Sequence, residues 1–324
     1  QDEWFKRTWN TMDYDNPDRR PYWSNRQTSE QQFGLLSFDP DKIKVDGDVN
    51  EWQGDPLYVG DKGDPIQAAY VDHDEAYLYL RMDLDDAASS TGYPVALIDT
   101  IQGQGNNYIN SLNATSDTAA DFLVSLEDDE SRVMVDANYE MHSYYYGWLY
   151  GYMDINDYMF DRNSGVFLPI KYVLNGQMRN GETGEIYPFE DYETGLLQEG
   201  NGNPEAKDFN SLTDYSWSAD RKHVEVRIPW LLLSFKDPSR KEIVGDFVTK
   251  EDIRVSDFLK DIGLSFMYVQ YDTPVQALPA STSGSTVGSM KRYTWENWDM
   301  VEVPFPSRLK QSYYHVQDYF ATLD

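Results

Sequence analysis

Lys42-Ile-Lys-Val-Asp-Gly-Asp-Val-Asn-Glu-Trp52 is the stretch whose reading decides the fold. Ile43 and Val45 alternate with Lys42 and Lys44, the period of two that gives a strand one buried face. Asp46-Gly47 ends the pattern, because Asp bonds to its own backbone and Gly accepts positive φ without a Cβ clash. Trp52, one turn later, is large enough to fold back over the face the strand has begun. Two roles stand open for it: an anchor at the edge of a β-sandwich, or a direct contact to ligand.

Moving outward, the same alternation recurs. Ile66 to Val71 and Ala76 to Leu84 pair as a hairpin around Asp72-His-Asp-Glu75. Its second strand puts Leu78, Leu80 and Met82 on the core face, opposite Tyr77, Tyr79 and Arg81. Val95 to Ile98 is a short continuous apolar run, as in a strand buried on both faces. Asp121 to Leu126 and Arg132 to Asp136 read as a hairpin whose tip, Glu127 to Glu130, is four acids that suit a solvated face. Val224, Val226 and Ile228 alternate with Glu225 and Arg227. Pro229 then opens a helical turn over Trp230 to Leu233. Phe33 to Phe38 and Val166 to Leu174 are further strands, and Gly263 to Tyr271 is a long one in the core.

These segments also carry a resemblance. Val45-Asp-Gly-Asp-x-x-Glu-Trp52 resembles the opening strand of family 9 carbohydrate-binding modules and their DOMON-type relatives. Ala69 to Leu80, Val95 to Thr100, Val224 to Trp230 and Ile262 to Gln270 follow in the order that family uses. The resemblance covers about 42–101 and 215–300. It implies an antiparallel β-sandwich with a sugar slot between Trp rings; by order, Trp217, Trp295 and Trp298 lie nearest those ring positions. Packing anchors are the other reading of Trp295 and Trp298. The family often holds structural calcium, and carboxylates beside Gly/Asp turns supply its oxygen ligands. Asp46 and Asp48, with Asp72 and Asp74, are the best clusters for it.

The expected architecture is therefore all-β, an antiparallel sandwich of the carbohydrate-binding-module type spanning 33–305. It is enlarged by an insertion over 102–214. Within the insertion, Tyr139 to Phe160 is dense in rings. Alternation would set Tyr144, Tyr146 and Trp148 on one face, either as a half-buried strand pair or as a stacking platform. Asn175 to Asp214 is a long Gly/Asn-rich loop. Leu309, Tyr313, Val316, Phe320 and Leu323 form an apolar stripe, which predicts an amphipathic helix over 306–324 that packs on this chain or on another subunit. Residues 1–32 are an aromatic arm or the remnant of a preceding domain. Gln1 to Asn10 is similar to the last strand-to-loop passage of barrel-type glycosidase-like domains.

Composition narrows the function. The chain of 324 residues carries 56 acids against 27 basic residues, a formal charge of -29. Such a surface repels nucleic-acid phosphates and anionic lipid, and suits cations, cationic polymers or neutral glycans. No apolar run approaches the ~20 residues that cross a bilayer. With no cysteine, disulfides, thiolate zinc sites and cysteine nucleophiles are excluded. The four His residues lie in no G-x-S-x-G or H-E-x-x-H context, so no catalytic residue is assigned. With 25 Tyr and nine Trp, ring stacking against sugars is well supplied. The expectation is non-catalytic polysaccharide binding within an extracellular or cell-surface bacterial protein, with structural calcium at the acid pairs above. The alternatives are a structural subunit of a surface assembly, a glycosidase accessory or catalytic region, and, last, a DOMON-like haem or redox role.

Overall fold

The computed structural model describes residues 42–298, apart from 86, 87 and 89–91, together with Gln317, Tyr319, Phe320 and Thr322. Residues 42–298 form one compact unit; the four C-terminal positions belong to a second, made of 1–41 and 299–324. The arm over 1–32, the Phe33–Phe38 strand and most of the stripe over 306–324 lie outside the described residues. Among the described residues no helix is long and apolar enough to cross a membrane.

Alternation drives the chain into two antiparallel sheets. The first has the order β1 (Tyr58–Val59), β2 (Ile66–His73), β3 (Tyr77–Leu84), β15 (His223–Pro229), β14 (Tyr215–Trp217). The second runs β20 (Thr273–Leu278), β19 (Ile262–Gln270), β4 (Gly92–Asp99), β7 (Phe122–Ser125), β8 (Arg132–Asp136), β9 (Phe167–Pro169), and β21 (Lys291–Tyr293) also pairs with β19. Leu78, Leu80 and Met82 of β3 and Val224, Val226 and Ile228 of β15 face Ala96, Ile98, Phe122, Val124, Leu264 and Phe266 across a continuous core. The expected hairpins at 66–84 and 121–136 are present, the first with a bulge between Ile66 and Ala68.

Val95–Ile98 shows why a strand can be apolar throughout. Ala96 and Ile98 enter the core between the sheets, while Val95 and Leu97 meet a second core on the outer face. A hairpin of β5 (Asn106–Ile109) and β6 (Ala114–Ala120) covers that face through Ile109, Leu112 and Ala114. So 102–214 is only partly an insertion: β7, β8 and β9 belong to the sheet itself. The remainder carries two exposed hairpins, β10 (Lys171–Asn175) with β13 (Glu190–Glu193), and β11 (Met178–Arg179) with β12 (Ile186–Tyr187). A small sheet of β16 (Phe235–Asp237), β17 (Glu242–Val244) and β18 (Ser256–Phe258) and one helical turn, α1 (Phe247–Lys250), close the sandwich edge.

Two further expectations need correction. Lys42–Val45 is not a strand: the backbone is irregular, and Val45 takes φ of 36°. Ile43 and Val45 are buried as alternation requires, but they pack on Tyr79 as a cover over the outer face of the first sheet. Gly47, at φ of 84°, runs so close to the next strand that a Cβ would lie 2.5 Å from the Trp217 carbonyl oxygen. The cover is fastened by Glu225, which accepts the Gly47 N–H at 2.8 Å and the Trp52 indole N–H. Trp52 thus takes the anchor role, edge-on to Tyr70.

The second correction concerns Tyr144, Tyr146 and Trp148. Ser143–Leu149 is a π-helical turn, so alternation does not apply and the three rings point apart. Tertiary contacts override the β-favourable rings here. Glu140 accepts the N–H groups of His142 at 2.8 Å and Ser143 at 2.9 Å, satisfying the turn's first donors. Gly147 packs against Ile155 with no room for a side chain, and Gly151 leaves the turn at φ of 65°.

Candidate functional site

Two groups of rings bear on binding. The first surrounds His73, at the end of β2. Trp295 and Trp298 lie 5.6 and 5.8 Å from its imidazole, and Trp230 and Tyr293 complete the shell. Trp295 is buried and donates its indole N–H to the Pro238 carbonyl at 2.8 Å. Burial holds the His73 imidazole down at about 4 against the pull of Asp72, with Lys42 and Lys241 adding to the fall. Trp295 and Trp298 therefore meet, on irregular backbone rather than one helical face, but they meet on a side chain of their own chain. Trp217 is elsewhere, at the end of β14, with the Arg221 guanidinium over its ring at 4.4 Å. The three do not form a slot.

The second assembly is open to water. Trp148, Tyr150, Tyr152 and Phe160 are each about half exposed, between 48% and 54%. Tyr150 and Tyr152 lie near-parallel at 5.7 Å, Tyr145 meets Tyr150 edge-on at 4.9 Å, and Trp148 meets Phe160 at 5.0 Å. Tyr144 is the buried root of this surface, 4.8 Å from Phe247 in the main core. Tyr146 is half-buried against His142 and Phe189. Of the three rings that alternation grouped, only Trp148 is exposed; the grouping left out Tyr150, Tyr152 and Phe160, which lie in the same ring-dense stretch. Their signal was the ring density of 139–160, which no strand period could sort.

The segment that carries Phe160 continues into a polar pocket of about 450 Å³, where Arg162 and Asn163 form part of the wall. Asn138, another wall residue, donates to the Met159 carbonyl at 2.6 Å. The register Ile98–Phe122–Val135 sets Asp99, Asp121 and Asp136 side by side at one end of β4, β7 and β8. Their apolar neighbours face the inner core, so these three acids take the outer face, beside the loop Gln102–Gly105. Burial drives all three carboxyls up: Asp99, Asp121 to about 7 and Asp136 to about 6.

The four acids expected to hold calcium serve other partners. Asp46 accepts from Asn203, and Asp48 from Asn50. Asp72 pairs with Lys42 at 2.6 Å, and buried Asp74 accepts the Tyr79 hydroxyl and the N–H groups of Ala76 and Tyr77. Among the described residues no three His, Asp or Glu side chains gather as a metal-holding group.

No family model matches the chain, and no curated protein matches it. The likeness to carbohydrate-binding modules rests on the quoted motifs alone.

Proposed function

We propose that the chain is a non-catalytic glycan-binding module that holds polysaccharide against Trp148, Tyr150, Tyr152 and Phe160, as part of an extracellular bacterial protein. The observation that carries this reading is the open ring surface itself. A soluble protein leaves so many large rings half in water mainly where something else covers them. A pyranose presents an apolar face to a flat ring while its hydroxyls reach polar groups, and the neighbouring pocket supplies those. The acidic surface tolerates neutral or cationic chains and repels acidic ones.

The test is retention on a panel of neutral and amino polysaccharides in affinity electrophoresis. Wild type should be retarded by at least one. Trp148→Ala combined with Tyr150→Ala should lose at least tenfold in affinity, about 1.4 kcal/mol, at unchanged melting temperature. Retention by none of the panel ends the proposal. The exposed rings also suit a protein contact in a surface assembly. Sedimentation without glycan separates the two readings: a self-associating chain that the same double substitution makes monomeric belongs to an assembly.

A further inference from the structure

The pocket beside the ring surface has a chemical bias. Gln104 is 6% exposed and lines it, yet its side-chain oxygen accepts no hydrogen bond. Asp99, 1% exposed, also lines it and leaves Oδ1 without a donor. Behind them Asp121 uses only Oδ2, for the Thr100 hydroxyl and the N–H groups of Thr100 and Ile101. Three buried acceptors thus lack donors where three neighbouring strands end, and a buried acceptor left unmade is costly.

The cations nearby are already committed. Arg292 is shared between Asp99 Oδ2 and Asp261, and Arg162 binds Asp246 and Thr249. Asp117 and Asp136 add further negative charge to the wall. What the pocket lacks is positive charge that brings its own N–H or O–H donors. A bare metal ion fits less well. Among the described residues no three carboxylates gather as a metal-holding group, and Asp136 is engaged with Asn106 and the Asn138 N–H.

We propose that this pocket binds a protonated amine carried on a small polyol, the chemistry of an amino sugar, with Asp99 and Gln104 accepting from the ammonium group. This inference rests on the glycan reading above and narrows it to chains bearing free amino groups. Asn107 and Asn163, at the mouth, then serve the ring hydroxyls.

Calorimetric titration of the full chain with glucosamine oligomers, N-acetylglucosamine oligomers and neutral glucose oligomers tests it, with calcium chloride and ethanolamine as further arms. The amino oligomers should bind at least tenfold more tightly than the other two. Gln104→Glu, which adds charge to the acceptor, should strengthen amine binding several-fold, and Gln104→Met should weaken it while neutral-sugar binding holds. Equal affinity for amino and acetylated oligomers overturns the proposal, as does calcium binding that Gln104→Met abolishes with no amine binding at all. Neutral polysaccharide held at the rings with no amine preference sinks this inference and leaves the glycan reading standing. Ethanolamine bound with no polysaccharide retained leaves the amine pocket and removes the glycan reading.

Discussion

The rings around His73 and the rings of the 143–160 segment are alike in composition and opposite in use. Trp230, Tyr293, Trp295 and Trp298 close over an imidazole and keep it neutral; Trp52 closes over Glu225 and donates its indole N–H to it. In both places rings seal an ionisable group from water. Trp148, Tyr150, Tyr152 and Phe160 leave about half of each ring open to solvent. Ring count therefore says little about binding until each ring has been asked what lies beneath it.

The contrast can be broken most forcefully at Trp295. Trp295→Ala removes a buried ring and should cost about 3–5 kcal/mol in urea unfolding, with no direct effect, in the folded fraction, on the glycan binding proposed for the open rings. Stability near wild type with binding lost would reverse the roles of the two assemblies. Glu225 comes next. Burial raises its carboxyl to about 7 in the fold, above the ordinary 4.5, although Trp52 and Gly47 donate to it; Asp46 and Glu51 add to the rise. The folded protein then holds the proton longer than the unfolded chain. That contribution to stability is complete below pH 4.5 and is lost as pH climbs to 7, at up to about 1.4 kcal/mol per unit. Glu225→Gln should gain on wild type across that window in melts at stepped pH; parallel curves would count against a sealed carboxyl.

His73 gives the opposite sign. Its folded value, about 4, lies below the ordinary 6.5, so the stability it contributes is present above 6.5 and lost as pH falls toward 4. The groups facing it are Asp72, Lys42, Lys241 and Tyr293. His73→Phe should flatten that acid limb, and an unchanged limb would show that the imidazole is wetter than its shell suggests. The smallest effect belongs to the open rings: Trp148→Ala should shift stability by no more than ~0.5 kcal/mol. A larger loss would make Trp148 part of the packing.

Much of the sandwich was legible because one-sided burial imposes a period of two. The 66–84 hairpin, the 121–136 hairpin, Val224–Ile228 and the run at 95–98 all follow from it. Glu225 was not legible: alternation with Val224 and Val226 marks the water face, and only the folded-over 42–52 segment makes that face an interior. The same segment misled in its own right, since Ile43 and Val45 alternate without pairing to a strand. The ring surface was half visible, as a dense run whose grouping depended on a strand that Glu140 and Gly147 turn into a helix. Asp99, Asp121 and Asp136 each flank a recognisable strand, but their alignment is a matter of register, which no single segment states.

β19 is buried along eight of its nine residues and serves both cores, Phe266 inward and Met267 outward. Its partner β4 ends at Asp99, so the pocket floor is tied to the longest strand ladder among the described residues. Backbone amides there should be among the last to exchange with deuterium, while those of the 143–149 turn, outside any sheet, exchange early. Such a pairing of stiff floor and yielding platform would fix where one end group sits and let the rest of a long, uneven chain settle as it pleases.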